Sequence, residues 1–147
     1  MKSINANAPV KHSETITINA KPIIVWQLLT NINEWPSWQK DIAYTRLEGK
    51  LQEGSAFTWK TGGAKITSVI HTAETIKRLG WTGTTFGATA IHNWTLTEKN
   101  GGTEVLVEES MQGFLVVLLK KMFSKNLAKG MITWLEMLKN ECEKENN

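Results

Sequence analysis

Between Ile42 and Met111 the chain alternates apolar and polar residues in six short segments. The breaks fall at Gly62-Gly63, at Gly87 and at Asn100-Gly101-Gly102. A period of two sends successive side chains to opposite faces of a strand, and Gly-Gly or Asn-Gly between such runs marks a tight hairpin. The pattern therefore predicts a meander of antiparallel strands. After Gly113 the period changes. Leu127, Met131, Trp134, Leu135, Leu138 and Cys142 recur at helical spacing, which puts one apolar stripe on a long helix. Phe114 to Asn140 reads as one helix, or as a short one running into a longer one.

The turns also set register. With Lys99 to Gly102 as a turn, Leu96 faces Val105, Trp94 faces Val107 and His92 faces Glu109. With Phe86 to Thr89 as the preceding turn, Trp81 faces Trp94 and Gly83 faces His92. Around Gly62-Gly63, Trp59 faces Ile66 and Phe57 faces Ser68. One face then collects Phe57, Trp59, Ile66, Ile70, Leu79, Trp81, Trp94, Leu96, Val105 and Val107. The opposite face is rich in Thr, Lys and Glu, and His71 falls on it as a solvated residue. A one-residue slip would invert every side chain, so the agreement of three hairpins supports the assignment of faces.

Ahead of the meander, Val10 to Ile18 alternates as a strand, and Pro22 opens a short helix, where its missing N–H is no loss. Asn31 to Trp38 forms a turn or second small helix carrying Trp35-Pro36-Ser37-Trp38. Each of those indoles can bury roughly 150–250 Å², so the segment reads as a plug that closes or rims one end of the core. Residues 1–9 are polar and are expected to be a flexible tail. No repeat or linker interrupts the rest, which makes 10–147 a single domain of ordinary size.

Five polar residues share the inner face: His12, Glu14, Ser68, His92 and Glu109. A buried carboxylate needs a partner, and His92 lies directly across the ladder from Glu109. Two readings stay open. The pair is either a buried tie between strands, or the polar anchor of an apolar pocket that binds a ligand or relays a proton. Gly83 leaves room beside the imidazole.

Other chemistries lack support. Three separated histidines without Cys-x-x-Cys or His-Glu-x-x-His spacing give no metal signature. No glycine-rich phosphate loop or nucleophile elbow is present, and no cofactor is expected. The net charge of +3 comes from scattered residues, whereas a nucleic-acid surface concentrates them. Lys120, Lys121, Lys125 and Lys129 read as a solvated helix face. Cys142 sits between Glu141 and Glu143 and has no partner for a disulfide. The longest apolar run, Phe114 to Leu119, has six residues, against the roughly 20 that span a bilayer. The expectation is a cytoplasmic protein without stable membrane insertion, a monomer or weak homodimer.

The order strand, helix, short helix, antiparallel meander and long helix resembles the START/SRPBCC superfamily, and its polyketide cyclase/dehydrase-like branch in particular. The residues that carry the likeness are Ile16-Thr17-Ile18-Asn19-Ala20 before Pro22, Val25-Trp26 with Leu28-Leu29, and Trp35-Pro36-Ser37-Trp38. Phe57-Thr58-Trp59-Lys60, Leu79-Gly80-Trp81, Ala90-x-His92-x-Trp94 and Glu108-Glu109-Ser110 before Gly113 extend it. The resemblance implies an α+β helix-grip fold. In it a curved antiparallel sheet of six to seven strands wraps a long C-terminal helix, with two short helices between strands 1 and 2. It also implies a hydrophobic cavity between sheet and helix. The residues expected around a ligand there are Trp38, Phe57, Trp59, Ser68, Ile70, Trp81, Gly83, Trp94, Val107, Met131, Trp134 and Leu135. Three functions follow: carriage of a small hydrophobic molecule of lipid, polyketide or aromatic type, a cyclase or dehydratase using His92 as base and Glu109 as its orienting group or acid, and a protein-interaction module.

Overall fold

The computed structural model of the chain describes residues 1–144; the last three residues of the expected domain lie outside them. The elements are β1 (Val10–Ile18), α1 (Pro22–Thr30), a 3-10 turn (Ile32–Glu34), α2 (Trp35–Trp38), β2 (Ile42–Leu47), β3 (Ala56–Thr61), β4 (Ala64–Glu74), β5 (Arg78–Thr85), β6 (Ala88–Lys99), β7 (Gly102–Gln112), α3 (Phe114–Leu118) and α4 (Lys120–Glu143). The seven strands form one antiparallel sheet in the order β1-β7-β6-β5-β4-β3-β2. This is the helix-grip architecture, with α4 lying against β1 and α1.

Two hairpins have the expected registers. Gly62 and Gly63, with φ of 56° and 78°, make a two-residue turn between the paired Thr61 and Ala64. Asn100 and Gly101, at 52° and 80°, do the same between Lys99 and Gly102. Positive φ at both central residues matches the right-handed twist of the flanking strands. His92 accordingly pairs with Glu109, and Trp94 with Val107.

The β5–β6 hairpin differs from expectation. Its turn is the two residues Phe86-Gly87, because Thr85 pairs with Ala88. The ladder is therefore shifted by two residues: Trp81, not Gly83, is opposite His92, Leu79 faces Trp94, and Gly83 faces Ala90. An even shift leaves every side chain on its expected face. His71 also differs. It is the extra residue of a bulge between Ile70 and Thr72, half-buried rather than solvated. Its Nδ1 lies 2.8 Å from Thr72 Oγ1, and a Cβ added at Gly80 would meet its ring. The neighbouring Asn93 donates from Nδ2 to the Lys2 carbonyl at 2.8 Å, and the Asn5 N–H donates to Ser110 Oγ at 2.9 Å, so the opening residues cross the outer face of β6 and β7.

The helical region begins with a break. Gly113, at φ 129°, passes so close to the Gly87 carbonyl that a Cβ would lie 2.3 Å from its oxygen. This crossing lets the Leu115 N–H donate to Gly87 O at 3.1 Å. The far end of α4 is tied down too. Lys139 Nζ donates to Thr17 O at 2.9 Å, and the Asn19 N–H donates to Glu143 Oε1 at 2.8 Å. The hydrogen bond from Lys139 holds the Glu143 carboxyl below its usual range.

The core is dominated by indoles. Trp35 is fully buried at its centre. Its ring meets Phe57, Trp59, Trp81 and Trp134 at centroid separations of 5.6, 5.9, 5.6 and 5.3 Å, and its Nε1–H donates to Leu29 O at 3.1 Å. The tryptophan segment is thus an internal wedge between sheet and helix.

Candidate functional site

A pocket of about 330 Å³ lies between the sheet and the N-terminal half of α4. The strands supply Trp59, Ile66, Trp81, Gly83, His92, Glu109 and Met111. The helix supplies Met122, Phe123, Asn126, Leu127, Gly130, Met131 and Trp134. Phe123, Leu127, Gly130 and Trp134 follow one another at four- and three-residue steps, which keeps them on one side of α4. Gly130 presents no side chain to the space. Gln39 and Asp41, just after the Trp35 wedge, contribute polar groups, as do Thr61, Thr84, Thr85 and Thr89.

His92 is the polar centre. Its ring stacks on Trp81 at 4.6 Å with the planes 8° apart, a direct consequence of their cross-strand pairing. Trp94 and Trp134 lie 5.4 and 5.8 Å away. Its Nδ1 sits 3.3 Å from Glu109 Oε2. Its Nε2 is buried and has no hydrogen-bond partner among the described residues, and neither has Trp134 Nε1. Ser68 is satisfied by contrast, accepting from Trp59 Nε1 at 3.0 Å. His12 pairs with Glu14 at 2.8 Å on the same face and does not line the pocket.

The residues expected around a ligand divide into two groups. Trp59, Trp81, Gly83, His92, Glu109, Met131 and Trp134 line the pocket. Trp38, Phe57, Ser68, Ile70, Trp94, Val107 and Leu135 are buried in the packed core beside it. The Trp35 wedge fills the part of the sheet's concavity that Phe57 faces. The helix-side residues Met122, Phe123, Asn126 and Leu127 are not among those expected around a ligand, although the 3.6-residue stripe through Leu127 and Trp134 extends back to Phe123. Among the described residues no cluster of His, Cys, Asp and Glu could hold a metal ion.

This arrangement of sheet, gripping helix and intervening pocket agrees with comparison to known proteins. The chain belongs to the family described as polyketide cyclase / dehydrase and lipid transport, which it matches over residues 9–143. Its fold is similar to that of a hypothetical protein of Helicobacter pylori, with a TM-score of 0.84, 18% identity and 97% of each chain covered. A START superfamily protein of Mycobacterium smegmatis gives a TM-score of 0.79 at 12% identity over 91% of this chain and 97% of that one. The di-domain ARO/CYC StfQ of the steffimycin biosynthetic pathway gives 0.76 at 12% identity over 93% of this chain and 51% of that one. At such identities the likeness is one of fold. No curated protein matches the sequence.

Proposed function

We propose that the chain binds a small, largely apolar molecule carrying a hydroxyl group in the pocket between the sheet and α4. The observation that carries this is the pair of unpartnered buried atoms, His92 Nε2 and Trp134 Nε1, on two side chains that line the pocket. A buried polar atom left unpaired costs about 1–3 kcal/mol. A ligand hydroxyl removes that penalty, since its oxygen accepts from the indole N–H and the hydroxyl exchanges a hydrogen bond with imidazole Nε2. A volume of about 330 Å³ stands at the small end of the roughly 300–1,000 Å³ common for such sites.

The test is a titration of intrinsic tryptophan fluorescence with matched pairs of aromatic compounds, with and without a hydroxyl. Saturable quenching is expected because Trp59, Trp81 and Trp134 line the site. The hydroxylated member of each pair should bind about 5–150-fold more tightly, the worth of two hydrogen bonds at about 0.5–1.5 kcal/mol each. His92→Phe should cut that preference to about 3–10-fold, the single hydrogen bond that Trp134 supplies. Equal binding of both members to the native protein would refute the reading.

The His92–Glu109 contact also favours a second reading, a cyclase or dehydratase. Glu109 orients the ring, and the free Nε2 acts as general base toward a proton beside a carbonyl. Turnover of a polyketone analogue should fall about 10²-fold or more in both His92→Phe and Glu109→Gln. Unchanged turnover would exclude these roles.

A further inference from the structure

The exposed apolar side chains are concentrated at one corner. Six of the eleven large ones, Phe86, Phe114, Val117, Leu118, Leu119 and Met122, come from the β5–β6 turn, α3 and the start of α4. Phe86 and Leu118 are 80% and 73% exposed. The corner is built, not frayed. The Phe86 and Phe114 rings meet edge to face at 5.5 Å, Leu115 is hydrogen-bonded to Gly87, and Val116 is fully buried against Val10 and Ala88. α3 thus turns one residue pair inward and offers the rest to solvent. Beside it stand Lys120, Lys121, Lys125 and Lys129, all exposed and without an ion pair among the described residues. From residue 113 to residue 135 there is no Asp or Glu.

We infer that this corner docks on the surface of an anionic phospholipid bilayer. Protruding apolar side chains flanked by unbalanced lysines are the makings of an interfacial anchor: the apolar groups enter the headgroup boundary while the cations meet lipid phosphates. Lysine stems are long enough to lie along that boundary with the ammonium in water. A second copy of the chain is a poor occupant, because pairing the same face of both copies would gather two uncompensated lysine clusters into one interface. No helix among the described residues is long and apolar enough to cross a membrane, so the contact is peripheral. Met122 belongs both to the corner and to the pocket lining, and Ala88 and Thr89, which follow Phe86-Gly87, line the pocket as well. The docked protein therefore holds its pocket against the bilayer. The inference rests on this surface and not on the identity of the ligand.

The experiment is co-sedimentation of the full chain with vesicles of phosphatidylcholine alone and of phosphatidylcholine mixed with phosphatidylserine. Binding is expected only to the mixed vesicles. It should weaken as salt rises from 0.1 M to 1 M, where the screening length drops from about 10 Å to about 3 Å. Lys121→Ala with Lys125→Ala should weaken partitioning about 25-fold, at roughly fivefold per lysine. Phe86→Ser with Leu118→Ser should weaken it about tenfold or more. All four positions are exposed, so the variants should unfold at the native temperature. Absence of vesicle binding by the native chain would overturn the inference, as would binding that survives both variant pairs. Capture by an acidic protein without any vesicle binding would overturn it too.

Discussion

Trp35 and Trp134 are both buried indoles in the same cluster, yet their N–H groups have opposite fates. This makes a controlled comparison. Trp35→Phe removes a donor from Leu29 O, held at 3.1 Å, and strands a buried carbonyl, a loss of about 1–3 kcal/mol. Trp134→Phe removes a donor with no acceptor, which relieves a penalty of similar size. The ring area lost is nearly the same in both, so the transfer and cavity contributions cancel in the difference. Trp35→Phe should therefore be the less stable variant by about 2–6 kcal/mol. With a urea slope of about 2 kcal/mol/M, its unfolding midpoint should lie roughly 1–3 M lower. Far-UV circular dichroism should follow the transition, since indole fluorescence is itself altered. Coincident midpoints, or a lower one for Trp134→Phe, would refute the assignment of Trp134 Nε1 as an unpaired donor. The hydrogen-bonding argument for a ligand hydroxyl would then rest on His92 alone.

Gly113→Ala should lose about 3 kcal/mol or more, because it combines positive φ with a Cβ 2.3 Å from the Gly87 carbonyl; its thermal unfolding temperature reads this out. Burial lowers the pKa of His71 below its ordinary 6.5. The unfolded ring takes up a proton as pH falls through that value while the folded ring resists, so stability is full above about 6.5 and declines below it. His71→Gln should flatten the difference between urea midpoints measured at about pH 5 and about pH 7.5, and an unchanged slope would point to other groups. Cys142 is buried, and its burial together with Glu141 and Glu143 pushes the thiol up to about 12. It should resist iodoacetamide at neutral pH in the native protein and react promptly in denaturant, as read by mass spectrometry.

The sequence carried the fold most clearly where turn chemistry is unambiguous. Gly62-Gly63 and Asn100-Gly101 place a residue suited to positive φ at each central turn position, so the β3–β4 and β6–β7 registers follow from the sequence. The β5–β6 turn has a single glycine at its second position, and Phe86 gives no sign that the loop is two residues long. The faces survived that error while the cross-strand neighbour of His92 changed from glycine to tryptophan. The stack on Trp81 was therefore hidden. The bulge at His71 is hidden for a related reason, since alternation carries no mark of an inserted residue. The pocket was half legible. Inner-face positions are written in period two, but which of them border empty space depends on how far Trp35 reaches across the sheet, and that is a matter of three-dimensional packing.

The strand order has a consequence for synthesis. β1 pairs only with β7, and Val10 meets Met111 about 100 residues later in the chain. At roughly 5–20 residues per second, the first strand leaves the ribosome about 5–20 s before its partner exists. α4, which seals the indoles, emerges later still. Until then a nascent chain carries an unpaired edge and an open aromatic face, and such non-local closure is slow. The growing polypeptide should engage holding chaperones until residue 143 has cleared the exit tunnel, and shortened chains ending near residue 100 should aggregate where the full chain does not.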